Sequence, residues 1–321
     1  MNVRYGIIGL GTISNKFADA VNREKDIELV SVAARDQARA DEFAKKYRAK
    51  KAYGSYDALM DDPDVDIIYI GVTHNFHYEI VKQCLNRHKA VICEKPLVLT
   101  QKEARELTDL AQKNNTLLME AMWTRCMPAY RKAQEWVRAG KIGDVKLINA
   151  SFCFHGTYDP ENRWYNLKLA GGSLFDVGVY PVEFSMGITG EHPSQVTGVA
   201  KLAPTGVDES AAVSLLFPGG AVASLSCGFT TDAMDEAVIY GTEGKIVVEN
   251  CFGLTKADLY EGRYKKVAKF EEKTANGFIY QARHCAGLFR EGKIQSDLIP
   301  WADTVACAGV FDTLRKQWGL V

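Results

Sequence analysis

No run of apolar residues approaches the roughly twenty needed to cross a bilayer, and neither sign of charge is in excess: 39 Lys and Arg stand against 40 Asp and Glu. A net charge of -1 leaves no electrostatic footprint for DNA, RNA or an anionic membrane, so no nucleic-acid and no membrane partner is expected. Closely spaced cysteine pairs are missing as well. Cys84, Cys93, Cys126, Cys153, Cys227, Cys251, Cys285 and Cys307 lie mostly in apolar surroundings, as reduced core thiols do. His74 and His77 lack a third or fourth ligand nearby, so no metal is expected. The start, Met1-Asn2-Val3-Arg4, runs into a predicted strand without the apolar stretch and cleavage site of a signal peptide; the expectation is a cytoplasmic protein. Repeats, low-complexity segments and long linkers are absent too. What is present is 321 residues of ordinary globular composition, 47% hydrophobic and 25% charged, enough for two domains.

From residue 3 to about 119, apolar strand segments alternate with amphipathic helical ones, the pattern of a parallel sheet covered on both faces. Strands are expected at 3–8, 27–34, 66–71, 90–93 and 117–119. Helices are expected at 13–22, 37–47, 56–60, 78–86 and 102–114, with Ser55 and Thr100 as caps. After a helix at 128–139 the pattern turns to alternating strands punctuated by Gly and Pro, at 145–154, 211–217, 221–229 and 237–240. Phe217-Pro218-Gly219-Gly220-Ala221 joins two of them as a hairpin, and Gly241-Thr242-Glu243-Gly244 begins another. Helical spacing returns at 278–291 and 302–318. The fold class is therefore α/β, with a doubly wound parallel sheet in a domain at 1–122 and an α+β, largely antiparallel domain at 123–321.

Gly9-Leu10-Gly11 ends the first apolar run and Thr12-Ile13-Ser14 follows, which reads as a strand turning into a helix whose free N–H groups can hold a pyrophosphate. Glycines at this spacing also occur in ordinary strand-to-helix turns. At the end of the second strand, where an acid selects NAD, the expected position falls on Ala34 and is followed by Arg35, which can pair with a phosphate. That favours NADP; Asp36 would restore NAD if the register is off by two, and Arg35 alone also reads as a solvated loop residue. Lys95 follows strand 90–93 at the carboxyl edge, where doubly wound sheets bind ligands, and Pro96 fixes the chain beside it. Gly171-Gly172 precedes a helix start, and in a helix Asp176 and Tyr180, four apart, share a face. A tyrosine of ordinary pKa, about 10, needs a nearby cation to serve as a base near neutrality. Lys95 is the candidate. Without it, Asp176 and Tyr180 read as a cap-region acid and a core tyrosine.

Taken in order, the Gly9-x-Gly11 turn, Thr73-His74-Asn75-Phe76-His77, Glu94-Lys95-Pro96, Glu120-Ala121-Met122-Trp123, Gly171-Gly172, Asp176-x-x-x-Tyr180 and Gly241-Thr242-Glu243-Gly244 resemble the glucose-fructose oxidoreductase / inositol dehydrogenase / MocA family over nearly the whole chain. Tyr180 and the segment 120–125 look most like its dimeric dihydrodiol dehydrogenase and NADP-dependent D-xylose dehydrogenase branch; inositol dehydrogenases typically carry histidine in place of Tyr180. The resemblance implies a Rossmann domain, a mixed open-faced sheet domain and a nicotinamide between them. It implies Gly9, Gly11, Thr12 and Ile13 at the pyrophosphate, Arg35 at the 2′-phosphate, and Thr73, Asn75, His77, Glu94 and Lys95 along the ribose and nicotinamide. Trp123, Arg125, Phe154, Arg163 and Trp164 fall where the family builds its pocket, suiting a sugar, polyol or cyclic diol, and each also reads as packing. Two departures stand out: His74 replaces the usual proline, and Ser14 occupies the third glycine position. The implied activity is hydride transfer to or from a carbinol carbon, with NADP favoured and NAD possible. Tyr180 is then the general acid/base, assisted by Lys95 and positioned with Asp176. The rival is a dinucleotide-binding sensor without turnover. Alternation at 221–226 leaves apolar side chains to cover, so a homodimer or dimer of dimers is expected.

Overall fold

A segment such as Ile67–Ile70, buried at every residue, satisfies its side chains only inside a sheet covered on both faces. In the computed structural model, which describes residues 2–321, that is where it lies. The chain divides into two units. The first holds β1 (Val3–Ile8), α1 (Thr12–Asn22), β2 (Ile27–Ala33), α2 (Gln37–Tyr47), β3 (Lys51–Tyr53), α3 (Tyr56–Met60), β4 (Ile67–Ile70), α4 (His77–Asn86), β5 (Ala90–Glu94), α5 (Gln101–Lys113) and β6 (Leu118–Ala121). Its six strands are all parallel, in the order β3-β2-β1-β4-β5-β6 of a doubly wound dinucleotide fold.

Sequence expectations need correction here at an edge strand, a helix cap and a domain boundary. The edge strand β3 was not anticipated: its three half-buried residues are too few to show a period. Ser55 stands at the N-cap of α3 without a side-chain capping bond, whereas Asp36 caps α2 by accepting from the Arg39 N–H at 2.8 Å. The second domain is not continuous over 123–321, because Ala275–Trp301 belongs to the first unit; Met1, where the first domain was expected to begin, lies outside the described residues. α9 (Phe278–Arg290) packs on α1, and Tyr5 donates its hydroxyl to the Ala282 carbonyl at 2.8 Å. Asn276 binds the Lys16 carbonyl, and the Ile294 carbonyl accepts from Leu118 N at 3.0 Å.

The second unit contains α6 (Trp123–Cys126), α7 (Pro128–Arg138), β7 (Val145–Cys153), a π-helical turn (Leu174–Gly178), α8 (Val179–Thr189), β8 (Gln195–Leu202), β9 (Asp208–Leu216), β10 (Val222–Gly228), β11 (Ala237–Gly241), β12 (Gly244–Val248), β13 (Lys256–Glu261), β14 (Lys265–Glu271) and most of α10 (Trp301–Gln317). The sheet order is β14-β13-β12-β11-β7-β10-β9-β8, antiparallel except where β10 meets β7. Ala223, Leu225 and Cys227 of β10 are buried on the face that packs against the π turn and α8, so those apolar residues find their cover within the unit. The opposite face carries Val222, Ser224 and Ser226, with Leu147 of β7 and Val199 of β8 also exposed.

α8 is buried from Val179 to Ile188, as a helix at the centre of a core must be. A buried ion group lies at this helix. Arg125 reaches Glu183 of α8 at 2.9 Å and Asp303 of α10 at 2.6 Å, with 5% of its side chain exposed. Gly187 makes this possible, since a Cβ there would lie 2.8 Å from the Arg125 guanidinium and 2.1 Å from the Tyr130 hydroxyl. Removing one member of a buried ion group leaves the others uncompensated, which costs about 3–5 kcal/mol. Arg125→Ala should lower the denaturant-unfolding free energy by that amount; a loss below about 1 kcal/mol, the value of a surface pair, would contradict this account.

Candidate active site

Gly9 has φ +83°, and a Cβ there would come within 2.5 Å of Val72 Cγ1, so both backbone and space demand glycine. Gly11 occupies the N-cap of α1, where no side chain makes a capping bond and a Cβ would meet only the Gly71 carbonyl at 3.9 Å. Thr12 and Ile13 open the helix. The result is a helix N-terminus with its N–H groups uncapped and its approach clear of side chains, which fits the pyrophosphate of a dinucleotide. Ser14, in the third glycine position, is fully buried, donates to the Gly9 carbonyl at 2.5 Å and packs where Gly71 has no side chain. The close packing usually given by the third glycine comes here from Gly71 on the facing strand end.

Arg35 is exposed just past the end of β2. One further cation escaped the sequence reading: Arg39, whose guanidinium donates to the Leu10 carbonyl at 2.9 Å and so lies against the glycine turn. The Arg35-x-x-x-Arg39 spacing at a helix start was its only sequence signal. Thr73 donates to Asn75 at 2.8 Å. His77 is fully buried, with Nδ1 2.9 Å from the Pro96 carbonyl and Nε2 3.2 Å from the Val72 carbonyl; burial holds its pKa below the ordinary histidine value. A neutral ring has one N–H, so His77 donates to one of these two carbonyls, between the loop after β4 and the turn after β5. The Lys95-Pro96 bond in that turn is cis, and Lys95 is 8% exposed. Beside it, burial pushes the Glu94 carboxyl up to about 7, although it accepts from Tyr69 at 2.6 Å. Glu120 accepts from Leu97 N at 2.9 Å and steadies the same turn.

In the second unit the candidate residues pair in ways their spacing did not show. Asp176 lies in the π turn and Tyr180 in the first turn of α8, so the plain helix expected there is interrupted between them. π turns of this kind are frequent at functional sites. Asp176 accepts from both terminal guanidinium nitrogens of Arg163, at 3.0 and 3.3 Å. Tyr180, 7% exposed, accepts from the Trp123 indole at 3.1 Å and lies against Phe152 and Phe252, at 5.3 and 6.2 Å between ring centres. Phe152 and Phe252 stack on each other at 4.0 Å; neither was singled out beforehand, although Phe152 shares a strand face with Phe154. Phe154 and Trp164 meet edge to face at 4.8 Å and gather with Phe229, organising the loop from 154 to 172. Arg125 is committed to Glu183 and Asp303, as described above. The π turn is anchored by Asp208, which accepts from the Ser173 hydroxyl at 2.7 Å and the Leu174 N–H at 2.6 Å while burial pushes its carboxyl up to about 6. Gly172, at φ +122°, leaves room for that carboxylate, 2.3 Å from where a Cβ would stand.

A doubly wound parallel sheet whose glycine turn opens an uncapped helix is the architecture of a dinucleotide-binding unit. Comparison with known proteins bears this out. Residues 3–122 match the oxidoreductase family with an NAD-binding Rossmann fold, GFO_IDH_MocA, and residues 130–247 match the GFO/IDH/MocA C-terminal domain. The chain belongs to the GFO/IDH/MocA family. It is 34% identical over 329 residues to trans-1,2-dihydrobenzene-1,2-diol dehydrogenase of Mus musculus, covering 100% of this chain and 98% of that one. The Homo sapiens protein of the same name is 34% identical over 332 residues, with the same coverage. Among solved structures, aldose-aldose oxidoreductase from Caulobacter crescentus, complexed with glycerol, superposes with a TM-score of 0.89 at 22% identity, covering 98% of this chain and 97% of that one. The 3-ketoreductase KijD10 from Actinomadura kijaniata, in complex with NADP and TDP-benzene, gives 0.87 at 23% identity, covering 98% of each chain.

Substituting Gly71→Ala should push a methyl into Ser14 and destabilise the first unit by about 1–3 kcal/mol. The double variant with Ser14→Gly should recover most of that loss in thermal unfolding. No recovery would show that Gly71 is required for another reason.

Proposed function

We propose that the protein is an NADP-preferring dehydrogenase or reductase acting on a hydroxyl-bearing carbon of a sugar, polyol or cyclic trans-diol, with Tyr180 as its general acid/base. The observation that carries this reading is the Tyr180 phenol, almost fully buried, walled by aromatic rings and hydrogen-bonded at its oxygen. The full-length similarity to trans-dihydrobenzenediol dehydrogenases supports the substrate class. Gly9, Gly11, Thr12 and Ile13 receive the pyrophosphate, and Arg35, with Arg39 beside the turn, receives the 2′-phosphate. Asp36 is spent on capping α2, which counts against its binding ribose hydroxyls. Thr73, Asn75, Glu94 and Lys95 line the ribose and nicotinamide, and His77 shapes that wall. When bound, the nicotinamide takes or gives the hydride.

In oxidation Tyr180 removes the hydroxyl proton as a phenolate, and the Lys95 ammonium favours that phenolate and orients the hydroxyl. Asp176, paired with Arg163, positions the substrate or the tyrosine. Reduction runs the same proton in reverse. Trp123, Phe154, Arg163 and Trp164 line the substrate, while Arg125 contributes by fixing the segment that carries Trp123. Titration of the protein with NADPH and NADH, followed by a turnover panel of aldoses, polyols and dihydrodiols, tests the reading. NADPH should bind more tightly, Arg35→Ser should narrow the preference, and Tyr180→Phe and Lys95→Ala should each lose about 10²-fold or more in turnover. Binding without turnover would transfer the reading to a dinucleotide sensor. Wild-type turnover in Tyr180→Phe would remove Tyr180 from the mechanism.

The same reading includes a homodimer or dimer of dimers formed through the outer face of the second sheet, where Val199 is 73% exposed and Val222 and Leu147 are exposed on the same face. Sedimentation should give twice or four times the chain mass; a monomer at micromolar concentration would contradict it.

A further inference from the structure

We infer that Trp123 is a positioning residue for the acid/base step, its indole N–H holding the Tyr180 oxygen so that the phenolate forms more readily and the tyrosine's own proton points elsewhere. This rests on the reading of Tyr180 as the acid/base. The indole N–H is only ever a donor, so across the 3.1 Å contact the phenol oxygen is the acceptor. A donor aimed at an ionisable oxygen stabilises its charged form more than its neutral form, because a hydrogen bond to an ion is the stronger one. That matters here because Phe152 and Phe252 surround the ring and offer a phenolate no solvation.

The placement of the indole is built in. Trp123 opens α6, and the two residues after it are each tied to a different element. Thr124 donates to the Phe252 carbonyl at 2.6 Å, and Arg125 sits between Glu183 and Asp303. Below the ring, Gly253 leaves a space that its own Cβ would close, 2.8 Å from Trp123 Cη2. A tryptophan that served only to line a pocket would not need its N–H directed at the tyrosine.

The test is the pH dependence of kcat in both directions for the wild type, Trp123→Phe and Gly253→Ala. Trp123→Phe keeps an aromatic ring and deletes the donor. Its oxidation profile should move to higher pH by about one unit, a tenfold loss on the rising limb, with the wild-type plateau regained at alkaline pH. In reduction, where the tyrosine must be protonated, the falling limb should move up by the same amount. Gly253→Ala, which displaces the indole without removing it, should shift both limbs in the same direction by less. Independently of turnover, the near-ultraviolet phenolate signal lost in Tyr180→Phe should titrate at higher pH when Trp123 is phenylalanine. A loss of kcat equal at every pH, or profiles that do not move while Tyr180→Phe is inactive, would overturn this inference and leave the acid/base reading standing. Full turnover in Tyr180→Phe would overturn both.

Discussion

One guanidinium organises the second unit. Arg125 is taken out of water between Glu183 on α8 and Asp303 on α10, and a charge so placed must keep its partners because none can be found in solvent. Three helices are thereby held in register at one point. The preceding residues inherit that accuracy: Thr124 fixes the Phe252 loop and Trp123 reaches the tyrosine. The least conspicuous member of the group is Gly187, whose missing side chain lets the cation lie against α8 at all.

The first unit solves a similar problem without charge. Its turn works because two chain segments approach closely, Gly9 against Val72 and Ser14 against Gly71, and the bulk added at one position of the fingerprint is taken away on the facing strand. The helix end is left uncapped, because Gly11 at the N-cap has no side chain to give. Local stability is forgone where a ligand's anion can supply it.

How much of this could be read from the chain depended on range. β4 and most of β1, β5 and β11 are apolar runs, and β7, β9 and β10 alternate strongly enough to be found with edges off by a few residues. β8 was missed because its inward residues include Gly198 and Ala200, which carry little hydrophobic signal, and β14 because its face is largely lysine. The π turn was invisible, since the same residues read equally well as an α-helix. Lys95, Asp176 and Tyr180 stood out by type and context, but their partners did not. Trp123 and Tyr180 are 57 residues apart, and Arg163 and Asp176 are joined by a loop whose path is set by the packing of Phe154, Trp164 and Phe229.

The return of Ala275–Trp301 to the first unit separates two meanings of the word domain. The stretch recognisable as the dinucleotide-binding family ends at residue 122, yet the body that folds around β1 also requires α9, more than 150 residues later, to cover α1 and receive the Tyr5 hydroxyl. The nucleotide half is therefore not a portable cassette. A gene fragment encoding it alone would leave that flank bare, so exchanging cofactor modules among relatives requires two splices, one at each visit of the chain.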